Sequence, residues 1–567
     1  MNILGISAFY HDSAACLVQD GRIVAAAQEE RFTRKKHDPR LPKHAIAYCL
    51  DAGSVRSGEI DVVVFYEKPL TKFLRLLATY REVAPKGWKS FLMAVPAWLK
   101  DKAWIPHHIE SFLNTAGYGV PKRFLFTEHH HSHAASAFFP SPFAEAAIVT
   151  VDGVGEWATS TIGLGEGNRM RVLREMHFPH SLGMLYSAFT YFCGFKVNSG
   201  EYKLMGLAPY GEPRYVEKIR NNLADFSEDG SIRLNLEYFG YLDGLKMTNV
   251  HFDELFGGPP RNPESEITSR EMDLAASIQA VTEDAVFKMA RYAQALTGKR
   301  QLCLAGGVAL NCVANGKLLR TGLYDDIWIQ PAAGDAGGAL GAAFYIWHHV
   351  QGHPRDCHGR QDRMQAALLG PEFQPEQVET FLEQNGVPYH KYTESSLGQT
   401  VARSIADGKV VGIFQGRMEF GPRALGNRSI LADARSEKMQ SYLNLATKFR
   451  ESFRPFAPIV LEEDAASFFE FLKFSPYMLL VDQVRAERRY ASPKPETALS
   501  LKEWVNTPRS DVPAITHVDY SARVQTVNRE QNARIYDILQ EFKRLTGYGL
   551  MVNTSFNVRS EPIVCTP

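Results

Sequence analysis

A short apolar strand, a turn and a second strand occur twice in the N-terminal half of this chain, and that repeat constrains the fold more than any other feature. Ile3 to Ser7, Ala14 to Leu17 and Ile23 to Ala27 read as hairpin-connected strands with an Asp20-Gly21 turn. Ala147 to Val151, followed by Thr159 to Gly163, repeats the pattern around an acidic turn at Asp152. A duplicated core is the expectation. Further short apolar runs at Asp61 to Phe65, Arg123 to Phe126, Gln301 to Leu304 and Asp326 to Ile329 alternate with helical patterns, which predicts an α/β architecture. From Met272 to Leu296 the apolar positions recur at three and four. Thr268 and Glu271 supply a capping box and Gly298 a stop, so the spacing predicts one long helix.

The chain has 567 residues, more than one hydrophobic core organises, so two domains are expected. The stretch 356–370 is polar and irregular, with His358, Gly359, Arg360 and Gly370. It is expected to link domains 1–355 and 371–567. Beyond it, Val410 to Phe414, Ala457 to Leu461, Met478 to Val481, Arg523 to Val527 and Gly549 to Val552 read as strands, with helices at Leu397 to Ala406 and Asn532 to Thr546. The abrupt end at Ile563 to Pro567 suggests a C-terminus cut short relative to the natural chain.

With 63 basic and 63 acidic residues, bulk charge excludes a polybasic nucleic-acid binder, so any anion site must be local. No apolar run approaches the roughly 20 residues of a membrane span, and Met1 to Ser7 enters a strand directly. A cytoplasmic enzyme without a nucleic-acid or membrane partner is expected. Seven scattered cysteines predict neither a disulfide framework nor a cysteine zinc site.

Two segments carry the chemistry. In Glu128-His129-His130-His131-Ser132-His133, the outer imidazoles stand four apart and share one face of a helix, a spacing that suits a single metal ion. Asp152, at a strand end, and Asp335, at the mouth of a helix, are the best sources of further ligands. Two imidazoles with two carboxylates favour iron or manganese over structural zinc, although zinc also fits. The plain alternative is a surface run of histidines. The second segment, Gly416 to Arg428, carries Arg417, Arg423 and Arg428, and Lys448 to Phe456 adds Lys448, Arg450 and Arg454. Several guanidinium groups around one dianion predict a phosphate site.

Smaller signals surround these. His11, beside Asp12, is a candidate general base toward a hydroxyl. Arg31 to His37 is a basic loop that either is solvated or meets phosphate. Ser199 to Gly211, with Lys203, reads as an irregular ligand wall. Gly306 and Gly307 follow a strand and precede Asn311, where backbone N–H groups can approach a nucleotide, although a plain turn explains them equally. Asn553 and Ser555 offer amide and hydroxyl groups to a small neutral group such as a carbamoyl.

In order along the chain, Leu4 to Ser7, His11 to Ala15, Glu29 to His37, His129 to Phe139, Lys203 to Ala208, Gly306 to Asn311, Gly421 to Leu431 and Asn553 to Asn557 resemble the O-carbamoyltransferases of natural-product biosynthesis. That family includes the nodulation-factor enzyme and the aminoglycoside and cephamycin carbamoyltransferases, and the resemblance runs from Ile3 to Val564. It implies an N-terminal actin-like ATPase domain of duplicated ribonuclease H-like type and a C-terminal YrdC-like domain. It also implies that carbamoyl phosphate and ATP, with Mg2+, yield a carbamoyl adenylate, which is passed internally to a small-molecule hydroxyl acceptor. Carried over by motif, His129, His133, Asp152 and Asp335 would be ligands of Fe2+, with His11 and Asp12 at the transfer site. Lys203, Gly306, Gly307 and Asn311 would face the nucleotide. Arg417, Arg423, Arg428, Lys448, Arg454, Asn553 and Ser555 would hold carbamoyl phosphate and nucleotide phosphates. A homodimer is left open. The alternative is an actin-like small-molecule kinase, which needs no arginine-rich second domain.

Overall fold

The computed structural model describes residues 1–357, 361–450, 453–471, 474–491 and 501–567. Residues 358–360 of the expected linker and residues 451 and 452 of the second cationic run lie outside them. The chain divides into one unit of Met1–Glu29 with His37–Arg363, and a second of Glu30–Lys36 with Met364–Pro567.

The first unit holds two five-stranded sheets of one design. Strands β1 (Asn2–Ser7), β2 (Ala14–Gln19), β3 (Arg22–Gln28), β4 (Val62–Phe65) and β5 (Arg123–Phe126) lie in the order β3-β2-β1-β4-β5. The β1, β2 and β3 pairings are antiparallel, whereas β4 and β5 add in parallel. Strands β6 (Glu145–Val151), β7 (Ala158–Glu166), β8 (Arg169–His177), β9 (Gln301–Ala305) and β10 (Asp326–Ile329) repeat this as β8-β7-β6-β9-β10, with the same senses. The duplication expected from the strand-turn-strand repeat is therefore present, and it is the actin-like arrangement. Asp20 and Gly21 both adopt positive φ, 47° and 79°, which matches the twist of the β2–β3 hairpin.

Helices connect these strands. α1 (Pro69–Val83) and α2 (Trp88–Asp101) form a hairpin after β4. α3 (His129–Phe138) follows β5, and α4 (Ser269–Thr297) starts with the Thr268–Glu271 capping box and stops at Gly298, φ 67°. α5 (Asp335–Phe344) is buried along its whole length and packs on β1, β2 and α3. Its glycines and alanines permit that approach: an ideal Cβ on Gly341 would lie 1.9 Å from the Ser132 carbonyl oxygen.

The second unit is built on one mixed sheet. Strands β11 (Val411–Phe414), β12 (Arg428–Ala432), β13 (Ala457–Leu461), β14 (Leu480–Gln483), β15 (Ser521–Val527) and β16 (Leu550–Ser555) lie in the order β11-β12-β16-β13-β15-β14. Helices α6 (Glu394–Ala406) and α7 (Ala533–Thr546) cover the apolar face. Ile535, Ile538, Leu539 and Phe542 make the buried stripe of α7, each contributing about 1.5–3 kcal/mol by leaving water.

Arg428 opens β12. One expectation changes. The expected irregular wall around Lys203 is a helix, Glu201–Leu207, followed by a short 3-10 turn.

Candidate metal centre and cationic cluster

In the first unit, α3 delivers His129 and His133, which are 1% and 0% exposed; the plain alternative of a surface histidine run does not hold. The helix starts where it does because the Glu156 carboxylate accepts the His129 backbone N–H at 3.1 Å, an anion on a helix N-terminus. His129 Nε2 and His133 Nε2 are 3.1 Å apart. Asp152 Oδ2 lies 3.0 Å from the first and 3.2 Å from the second, and Asp335 Oδ1 lies 3.7 and 3.6 Å from them. Four donor atoms thus converge from α3, the β6–β7 turn and the start of α5. Asp152 is 17% exposed while the other three are closed off, so an ion held here would keep its open side toward Asp152.

Electrostatics fit a cation. Burial disfavours a charged imidazole, yet the hydrogen bond to Asp152 and the Glu67 and Asp335 carboxylates lift His129 to about 10. Burial is outweighed in the same way at His133, which is raised by Asp152 and Asp335, while the two imidazoles hold Asp152 well below the usual carboxylate range despite its burial. Where two carboxylates hold protons on two imidazoles, a divalent cation can take their place. His130 turns away: its Nδ1 meets Thr150 Oγ1 at 2.6 Å, and burial and the neighbouring imidazoles push it down.

His11 Nε2 lies 3.9 Å from Asp335 Oδ2 at the edge of this cluster, and its Nδ1 is 3.1 Å from Asp12 Oδ2. Asp12, in the left-handed region at φ 52°, also meets His37 Nδ1 at 2.7 Å. Burial works against protonation of His11, but Asp335 and Asp12 raise it to about 9.

Sequence reasoning missed Glu67 and Tyr66. Tyr66 Oη donates to Asp335 Oδ2 at 3.4 Å. Glu67 Oε2 lies 3.8 Å from His129 Nδ1 and 2.6 Å from Lys72 Nζ. Despite burial, Lys72 and His129 hold the Glu67 carboxyl down at about 2. Both follow β4 at its C-terminal end, the edge at which ligands collect in α/β sheets, and that position was the available signal.

Gly306, at φ 89°, passes β6 so closely that a Cβ would lie 2.2 Å from Val151 O, and the Gly307 N–H donates to Asp152 Oδ1 at 3.1 Å. The paired glycines thus set Asp152. Asn311 has other work than lining a nucleotide: it caps the following helix through Ala314 N at 3.1 Å and exchanges amide hydrogen bonds with Gln279. Lys203 lies over the Phe195 ring at 5.7 Å.

In the second unit the Glu419 carboxylate shapes the arginine-rich segment by accepting the N–H groups of Leu425, Asn427 and Arg428 at 2.7–3.2 Å. Arg428 is corrected from phosphate ligand to brace. It is fully buried, lies 3.8 Å over the Phe414 ring, and donates to the carbonyls of Gln415, Gly416, Asn427 and Pro371. Arg417 donates to Leu369 O at 2.7 Å and Arg423 is part-buried.

Lys448 is 3% exposed, and its Nζ donates to Ser555 O and to Asn557 O and Oδ1. Burial, then Arg450, Arg454 and Lys36, push it down to about 6. The basic loop Arg31 to Lys36 belongs to this unit, with Arg34 donating to Ile563 O at 2.7 Å and Pro562 O at 2.8 Å. Asn553 donates to Ala424 O at 3.1 Å and Gln525 Oε1 at 2.6 Å, and its buried Oδ1 has no hydrogen-bond partner among the described residues.

Two family models together span most of the chain. Residues 2–344 match the family described as Carbamoyltransferase N-terminus and residues 402–567 match Carbamoyltransferase C-terminus. The chain is 57% identical to the uncharacterized protein sll1178 of Synechocystis sp., over 100% of this chain and 93% of that one. It is 37% identical to nodulation protein NolNO of Sinorhizobium fredii, over 98% and 75% of the two chains, and 29% identical to nodulation protein U of the same species, over 98% and 94%. Among solved structures, T. kodakarensis HypF matches at 12% identity and a TM-score of 0.30, over 62% of this chain and 48% of that one. The chain belongs to the carbamoyltransferase family and is a carbamoyl-transferring enzyme.

Proposed function

We propose that the chain forms carbamoyl adenylate from carbamoyl phosphate and ATP in the second unit, and spends it at the His129 cluster on a hydroxyl of a small-molecule natural product. The convergence of His129, His133, Asp152 and Asp335 in a carbamoyltransferase carries this reading. In the second unit Arg417, Arg423, Arg454 and Lys448 hold the phosphates of both substrates. The unpartnered Asn553 Oδ1 accepts from the carbamoyl amide, and Ser555 flanks it. Water cleaves carbamoyl phosphate to carbamate and inorganic phosphate; a carbamate oxygen then attacks the α-phosphorus of ATP, pyrophosphate leaves, and a carbamoyl–AMP anhydride results.

At the other site the acceptor hydroxyl attacks the carbonyl carbon, the bond to the phosphate oxygen breaks, and AMP departs. His11 takes the hydroxyl proton, and Asp12 orients its ring from Nδ1. His129, His133, Asp152 and Asp335 would hold iron, which when bound would supply positive charge near the departing phosphate. A cation bound there would offset Asp335, the main group raising His11, and would favour the neutral, proton-accepting ring.

Incubation of the full chain with ATP and carbamoyl phosphate, followed by mass spectrometry, tests the reading. Carbamoyl adenylate forms, needs both substrates, and is lost in Arg423→Ala. An acceptor phosphorylated by ATP alone would mark a kinase and end this reading, and an adenylate that persists in Arg423→Ala would remove the phosphate-site assignment. Bound iron disappears in the His129→Ala His133→Ala double variant; unchanged stoichiometry would refute the ligand set.

A further inference from the structure

The α1–α2 hairpin turns its apolar side outward. In α2, Trp88, Leu92 and Leu99 fall at spacings of four and seven on one helical face and are 60%, 58% and 49% exposed. Met93, at 62%, widens the stripe. The inner face of the helix is occupied: Trp98, 6% exposed, stacks on Phe73 at 4.1 Å, and Phe91 meets Tyr80 edge-on at 5.2 Å. On α1, Leu70 and Leu74 stand one turn apart, 70% and 62% exposed. So many large apolar side chains on one hairpin exceed the scatter of a free surface.

The polar groups beside the stripe identify its partner. Among the described side chains, Arg81, Lys86, Lys89, Lys100 and Lys102 outnumber the acid Glu82 across the hairpin. Trp88 opens α2, and Trp104, 59% exposed, follows it in the turn Lys102–Trp104. Indoles at both ends, leucine and methionine between them, and lysines whose stems reach past the apolar face to a charged head form the pattern of a helix lying in a lipid interface. Among the described residues no helix is long and apolar enough to cross a membrane, so the contact is peripheral.

We propose that the α1–α2 hairpin docks on an anionic lipid bilayer, with Trp88, Leu92, Met93 and Leu99 in the headgroup region and Lys89 and Lys100 against lipid phosphates. This departs from the expectation of no membrane partner, which rested on the lack of a spanning segment. A stripe interrupted by lysine is invisible to that criterion.

Vesicle co-sedimentation of the full chain tests it, using phosphatidylcholine alone and phosphatidylcholine mixed with phosphatidylglycerol. The chain pellets with the anionic vesicles, and added salt releases it. Leu92→Glu Leu99→Glu weakens partitioning by about tenfold or more, and Lys89→Glu Lys100→Glu removes the preference for anionic over neutral vesicles. All four side chains face solvent, so thermal melting and bound-metal content stay at the wild-type values and confirm intact variants. Failure of the wild-type chain to pellet with anionic vesicles overturns the proposal, as does undiminished binding of either variant. A dimer in light scattering that Leu92→Glu Leu99→Glu splits would assign the face to a second copy and overturn it as well.

Discussion

His129 Nδ1 and Glu67 Oε2 face each other at 3.8 Å, both residues being buried, and Lys72 Nζ holds the same carboxylate oxygen at 2.6 Å. His129 Nε2 points the opposite way, into the four-donor cluster. A carboxylate behind a ligating imidazole fixes its tautomer and orientation and raises its basicity. Glu67→Gln is expected to weaken metal binding by about 10–100-fold, read by competition against a chelator. Unchanged affinity would detach Glu67 from the centre.

Gly306 makes a second dependence testable. Its φ of 89° and the 2.2 Å that would separate an added Cβ from Val151 O leave no place for a methyl group, and β6 ends at Val151 just before Asp152. Gly306→Ala is expected to cost about 2–3 kcal/mol in urea unfolding and to lower metal occupancy. Wild-type values on both measures would show that the strand ending tolerates displacement.

Lys448 gives the pH dependence. Its folded value of about 6 lies below the ordinary 10.5, so between these pH values the unfolded chain binds the extra proton. Stability from this group therefore rises with pH through that window, and the penalty is complete below about pH 6. A phosphate dianion reverses the balance by favouring the ammonium, so binding of phosphate at pH 7.5 takes up a proton. Calorimetry in buffers of different ionisation enthalpy reads that uptake, and Lys448→Met abolishes it. Equal uptake in the variant would place the proton elsewhere.

Arg428 and Arg423 separate bracing from binding. Arg428→Met removes the donors of several backbone carbonyls in a dry setting and is expected to destabilise the chain by about 2–4 kcal/mol. Arg423→Ala, at a part-buried position, is expected to melt within a few degrees of wild type while losing adenylate formation. Equal melting of the two variants would remove the distinction.

Local patterns were legible in the chain, and tertiary neighbours were not. The four-residue spacing of His129 and His133, and the strand end before Asp152, are properties of one element each, and sequence reports them. Glu67 joins His129 from the end of β4, a position that marks a ligand edge in general and not this residue. Arg428 misled because guanidinium groups look alike until something covers them, here Phe414 and a loop folded on Glu419. Strand β8 was overlooked because Arg169, Arg171, Arg174 and Glu175 face outward at a sheet edge, which masks its alternation. Asn311 was read for its donors, whereas Gln279, on the long helix α4, already engages them.

The tight seat of α5 on α3 has a consequence for ion selection. Gly341 lies against the backbone of Ser132, the residue before His133, while Asp335 opens the helix that Gly341 belongs to. Three of the four donors therefore hang on two helices with no slack between them. An ion of the wrong radius would have to prise the helices apart, a far stiffer response than the bending of a loop. For a divalent metal bound there, discrimination would rest on backbone contact as well as on the choice of nitrogen and oxygen.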